Sequence, residues 1–157
     1  VYSISDKFPS KLSINSNAHA LARYAALVQE CEMVPIVEPE LLMDGDHSAK
    51  ECFEKTSEVI KKCFEELIIH KVDLSGIILK PNMILAGNQS KDKISNEEGS
   101  IKTLECLKNS VPDEVPGITF LSGGQSEIEA TENLNLINKN NNKKLERLIN
   151  VNKDEQN

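Results

Sequence analysis

Apolar residues along this chain recur with two different periods. From Ser10 to Glu30, Leu12, Ala18, Leu21, Ala22, Ala25 and Val28 return at spacings near three and four, which predicts a helix with one apolar stripe. Met33-Val34-Pro35-Ile36-Val37 then runs without alternation, the pattern of a short strand covered on both faces. Pro35 cannot donate a ladder hydrogen bond, so it belongs near the strand's start. Ser48 to His70 carries the clearest helical stripe, formed by Cys52, Phe53, Thr56, Val59, Ile60, Cys63, Phe64, Leu67 and Ile68, with Lys and Glu on the other face.

Ile77-Ile78-Leu79 reads as a second buried strand, followed by a loop from Pro81 to about Lys93. Ser95 and Glu98 have the spacing of a capping box and open a helix through Ile101, Leu104 and Leu107. Gly117-Ile118-Thr119-Phe120-Leu121 is a third strand, and Ser126 with Glu129 opens a helix to about Lys139. Asn138 to Lys144 is polar and low in complexity, the mark of a loop. Leu145, Leu148, Ile149 and Val151 suggest a short helix after it, and no strand is expected beyond Leu121.

The order αβαβαβα predicts an α/β protein with a parallel sheet and helical crossovers. Glu38, Lys80 and Ser122 each follow a strand run, and each stands 42 residues after the one before. Polar residues at one phase of a repeating βα unit fall on the C-terminal edge of the sheet, where such folds place their chemistry.

Composition narrows the functional classes. The chain has 157 residues and a net charge of −7, with 39% apolar and 27% charged residues, enough for one domain with a core. An acidic chain is a poor partner for nucleic acid, and no run of about 18 apolar residues offers a membrane span. The first residue is Val1 and no signal sequence follows, so the chain is expected to begin within a longer protein. Cys31, Cys52, Cys63 and Cys106 include no Cys-x-x-Cys pair, and two of them lie on the helical stripe. Reduced thiols in a cytoplasmic protein are therefore expected over disulfides. His19, His47 and His70 share no ligand spacing and read as surface or packing residues.

Three strand-end segments carry candidate chemistry. Lys80 follows an apolar run and precedes Pro81; it reads either as a surface lysine or as a desolvated amine able to form a Schiff base. Glu38 and Glu40 flank Pro39, so in extended chain both carboxylates point to one side and could share acid–base work, or simply be solvated. Ser122-Gly123-Gly124-Gln125-Ser126 leads into a capped helix and could seat a phosphate, or be an ordinary turn. Asp44-Gly45-Asp46-His47 could hold a metal, but a solvated loop that caps the next helix accounts for it without one.

Taken together, Val34-Pro35-Ile36-Val37-Glu38-Pro39-Glu40, Asp44-Gly45-Asp46-His47, Leu79-Lys80-Pro81-Asn82-Met83 and Gly117 to Ser126 resemble class I fructose-bisphosphate aldolase. Leu21-Ala22-Arg23-Tyr24-Ala25 and Asn133-Leu134-Asn135 fit too, and the likeness runs from about Pro9 to Lys139. The resemblance implies part of a (β/α)8 barrel around strands five to seven. It implies that Lys80 is the Schiff-base lysine, that Glu38 moves protons during Schiff-base formation with Glu40 beside the lysine, and that Ser122, Gly123 and Gly124 hold a substrate phosphate.

The reaction implied is reversible cleavage of fructose 1,6-bisphosphate to dihydroxyacetone phosphate and glyceraldehyde 3-phosphate. It needs no metal or cofactor, and its partners are a small sugar phosphate and, in the full-length protein, further copies of the chain. Glu32 stands where the family has a glycine. The family's Lys-Trp-Arg segment, its earlier strands and its phosphate-binding arginine lie outside the likeness. Residues 1–139 are thus expected to be a partial barrel and 140–157 a divergent Asn/Lys-rich tail. The alternative reading is a truncated, catalytically incompetent relic that acts at most as an interaction partner.

Overall fold

Every long helix begins at a serine. In a computed structural model, which describes residues 1–141 and the backbone of 148–151, α1 (Lys11–Glu30), α2 (Ala49–Ile69), α3 (Asn96–Ser110) and α4 (Glu127–Asn140) are capped by Ser10, Ser48, Ser95 and Ser126. Each cap side chain accepts a backbone N–H three residues on, a bond that contributes about 1 kcal/mol to the helix start. Complete capping boxes form at Ser48–Glu51 and Ser126–Glu129; the first was not among those expected. At Ser95 the serine accepts from the Glu98 N–H, while the Glu98 carboxylate lies 3.6 Å from Lys102.

Between the helices run β1 (Ile36–Val37), β2 (Ile78–Leu79) and β3 (Gly117–Phe120), joined by β4 (Leu148–Val151). All pairings are parallel and the spatial order is β1-β2-β3-β4. Strand order that follows chain order, without reversal, is how a (β/α) barrel winds; a doubly wound sheet reverses at its switch point. The helices pack in the same succession, α1 on α2, α2 on α3 and α3 on α4. Val37, Leu79, Ile118 and Phe120 belong to the core cluster that includes Ile60, Leu67, Leu107 and Ile137 from those helices.

Several expectations change. Leu148–Val151 is a strand paired with Gly117–Phe120, where a short helix and no further strand were expected. Four residues are too few to separate the two periods, and it is pairing with β3 that decides. Asn138, Lys139 and Asn140, expected in a loop, complete α4, and residues 142–147, Leu145 among them, lie outside the described residues. Leu12 is 77% exposed and Ile68 is also exposed, so the apolar stripes of α1 and α2 are narrower than the sequence suggests. The strands are covered fully on one face only: Ile36 is 42% exposed, and Ile78, Gly117 and Thr119 are half-buried. Pro35 sits just before β1 and still serves the ladder, because its carbonyl accepts the Ile78 N–H at 3.0 Å.

Candidate active site

Register builds the first part of the site. Val37 pairs with Leu79 and Leu79 with Ile118, so one residue further along Glu38, Lys80 and Thr119 form a row at the C-terminal edge. The Lys80 N–H continues the ladder to the Val37 carbonyl at 2.8 Å. Side chains alternate along a strand, so Lys80 shares the less-covered face with Ile78. Its Nζ lies 3.3 Å from Glu38 Oε1, and the lysine side chain is only 3% exposed. An ammonium taken from water needs a counter-charge, and the half-buried Glu38 supplies it.

The even spacing of 42 does not carry through to the third residue. Residue 119, not 122, stands level with Lys80, so Ser122 lies three residues past the row. That offset places Ser122 in the turn beyond the sheet.

Glu38-Pro39-Glu40 is not a plain extended segment. The Glu40 N–H donates to the Glu38 carbonyl at 3.1 Å, so the chain makes a γ-turn at Pro39. Glu40 then lines a cleft of about 200 Å³ shared with Leu42, Met43, Asp44 and Asn88 on one side and Leu121 to Gly124 on the other. Lys80 and Glu38 are not among its walls. Glu40 therefore shares the cleft wall with the glycine turn and follows the ion-paired Glu38 by two residues in the chain.

Two buried amides hold these segments in place. Asn82 Oδ1 accepts the Leu41 N–H at 3.1 Å, and its Nδ2 donates to Thr56 Oγ1 and to the Met83 carbonyl, each at 3.1 Å. One side chain thus ties the chain leaving β1 to the chain leaving β2 and to α2. Gln125 does the same after β3. Its Nε2 donates to the Ser122 carbonyl at 2.8 Å, and its Oε1 accepts from Asn133 Nδ2 of α4 at 2.7 Å. The Gln125 N–H also bonds the Ser122 carbonyl, closing a turn in which Gly123 and Gly124 have φ of +60° and +84°. Two consecutive left-handed residues suit glycine, and such a run turns backbone N–H groups toward a common anion.

Sequence reasoning quoted Asn82 and Gln125 within motifs but gave neither a role. A buried amide just after a strand end is the signal that could have singled them out.

The Asp44-Gly45-Asp46-His47 loop is laid against residues 87–89. Gly45 N–H donates to Asn88 Oδ1, Asn88 Nδ2 to Asp44 Oδ1, and the Gly87 N–H to the His47 carbonyl. A side chain on Gly87 would overlap the Gly45 carbonyl, so the two loops cross at bare backbone. Lys93 reaches the carbonyls of Gly87 and Asn88. His47 is 4% exposed, the packing one of the two placements expected for it, and burial lowers its pKa below the ordinary 6.5. These contacts make the loop one wall of the cleft. Among the described residues the three-residue cluster able to hold a metal is elsewhere, at His19, Glu66 and His70.

The family model for class I fructose-bisphosphate aldolase matches residues 1–149, beyond the Lys139 limit of the sequence likeness. Fructose-bisphosphate aldolase C of Carassius auratus is 51% identical over 138 residues, and that of Homo sapiens 49% identical over 139. Both alignments cover 88% of this chain and 38% of the relative, so the chain spans under two-fifths of these relatives' length. Among solved structures, Plasmodium falciparum fructose-bisphosphate aldolase, in a ternary complex with TRAP and a small-molecule inhibitor, has a TM-score of 0.86. It is 44% identical, with 87% of this chain and 40% of that chain covered.

Proposed function

Because the chain belongs to the class I fructose-bisphosphate aldolase family and its fold is a portion of that family's barrel, we propose that the protein carrying it cleaves fructose 1,6-bisphosphate reversibly through an imine on Lys80. The observation that carries this reading is the Lys80–Glu38 pair, 3.3 Å apart on adjacent strand ends with the amine withdrawn from solvent.

The steps follow from that placement. The Lys80 amine, as free base, adds to the ketone carbon of the sugar. The hydroxyl of the resulting carbinolamine leaves as water after protonation by Glu38. The iminium then accepts the electron pair of the breaking carbon–carbon bond, while a base takes the proton of the adjacent hydroxyl and glyceraldehyde 3-phosphate departs. Protonation of the enamine and hydrolysis of the imine release dihydroxyacetone phosphate and restore Lys80. Glu40, two residues after Glu38 and in the wall of the cleft, is assigned the relay of protons. Ser122, Gly123 and Gly124 present the amides of a glycine turn to a substrate phosphate.

No step calls for a metal or cofactor. No helix among the described residues is long and apolar enough to cross a membrane. A cytoplasmic setting and assembly with further copies of the chain belong to the same reading. In the full-length protein, Lys80→Arg keeps the charge beside Glu38 but lacks a nucleophilic amine. Cleavage measured by coupled assay is expected to fall by roughly 10³-fold or more. Cleavage at the parent rate would refute the role of Lys80.

A further inference from the structure

Away from the strand ends, α1 and the last turn of α2 bring two histidines onto one carboxylate. His19 Nδ1 lies 3.2 Å from Glu66 Oε2, and His70 stands one helical turn after Glu66. The two imidazole rings meet edge to face with centroids 4.7 Å apart. One nitrogen of each ring and a carboxylate oxygen lie within 4.8 Å of one another. We propose that His19, Glu66 and His70 bind one divalent cation of the zinc class, clipping α1 to the C-terminal turn of α2.

The donor set is two imidazoles and a carboxylate, the composition that zinc accepts with water in a fourth position. The 3.2 Å contact between His19 and Glu66 matches the edge, about 3.3 Å, of a tetrahedron with bonds of about 2.0 Å, whereas His70 Nδ1 stands 4.0 Å from the same oxygen, so the His70 ring must close in on binding. His70 Nδ1 donates to the Glu66 backbone carbonyl at 2.8 Å. A bond of that kind fixes the tautomer of a ligating imidazole and leaves Nε2 unprotonated. On cation binding the Nδ1 proton of His19 moves, through solvent, to its own Nε2. The ring is 54% exposed, so that exchange is unobstructed.

Glu66 is held as a carboxylate, its pKa lowered first by Lys62 and then by His19. Lys62 Nζ sits 3.0 Å from Oε1, the other oxygen, so Oε2 faces the histidines while a positive charge stands close behind. That charge opposes a cation, so Lys62 sets an upper limit on affinity. The site is independent of Lys80, Glu38 and the glycine turn.

The test uses full-length protein with Cys31→Ser, since Cys31 is an exposed thiol able to take zinc. Zinc is titrated against a chromophoric chelator, and the same titration is run on a variant that also carries His19→Ala and His70→Ala. The histidine variant is expected to lose one equivalent of zinc, or to bind it about tenfold or more weakly, with sugar-phosphate cleavage unchanged. Lys62→Gln is expected to tighten binding several-fold, and it keeps the test decisive if the histidine variant does not fold. Equal stoichiometry and affinity in parent and histidine variant would overturn the proposal. So would a Lys62→Gln protein that binds zinc no more tightly than its parent.

Discussion

The chain leaving β2 and the chain leaving β3 solve the same problem differently. After β2, residues 80 to 84 are buried, and Lys80 and Asn82 are held by strand-end and cross-loop bonds. After β3, Ser122 and Gly123 are half-buried and Gly124 is exposed, and the turn is held chiefly from behind by Gln125. The first arrangement fixes an amine in one place away from water. The second leaves the glycine backbone toward solvent while the Ser122 carbonyl is tied down by Gln125. A covalent step needs a nucleophile held in position; an anion seat needs open donors on a firm base. Under the proposed function the difference between the loops is a division of labour, and substitutions at the two amides should separate it.

The largest effect is expected at Asn82. Asn82→Leu keeps the branching of the side chain, though it is larger, and leaves the buried Leu41 N–H and the Thr56 hydroxyl without this partner. Each orphaned group costs about 1–3 kcal/mol. Urea unfolding should show a loss of about 2–4 kcal/mol. Because Leu41 belongs to the segment that carries Glu38 and Glu40, kcat should fall more than KM rises. A variant with parent stability and parent kcat would remove Asn82 from the account.

A smaller effect is expected at Gln125. Gln125→Leu takes one of two donors from the Ser122 carbonyl, which keeps the backbone N–H of residue 125, and removes the Gln125 acceptor of Asn133 Nδ2, so a loss of about 1–3 kcal/mol follows. Here the kinetic signature should reverse, with KM for the bisphosphate rising by about tenfold while kcat changes little. If kcat fell as far as in Asn82→Leu, the two loops would not differ in the way described.

The smallest effect concerns the wall between them. Burial lowers the pKa of His47, so between the ordinary 6.5 and the lower folded value the unfolded chain binds the extra proton. Glu51 and Asp46 oppose that shift and Lys93 adds to it. Stability of the loop crossing is thus present above pH 6.5 and is lost as pH falls through the folded value. Amide exchange at Gly87 and Gln89, whose N–H groups donate to His47 and Gly45, should lose protection from pH 7 to pH 5 after correction for intrinsic rates. His47→Gln should flatten the profile. Equal protection at both values in the parent would show that His47 does not govern the crossing.

Much of the fold was legible because helix and strand alternate along the chain and serine caps mark the helix starts. Lys80, Glu38 and the glycine turn were visible as strand-end motifs, and the register sets the first two side by side. Leu148–Val151 was misread because an apolar cluster of that length fits a helical turn as well as a strand until β3 is there to pair with it. The γ-turn at Pro39 replaced an extended segment through a single local hydrogen bond. Meeting points between distant helices, such as His19 with Glu66, leave no spacing to read, since packing of α1 on α2 alone creates them.

The central claim is that one amine, on Lys80, joins covalently to the substrate. Full-length protein incubated with dihydroxyacetone phosphate and sodium borohydride should gain one stable adduct, and peptide mass spectrometry should place it on Lys80. An adduct on a different lysine, or none in protein that still cleaves the sugar, would contradict the account.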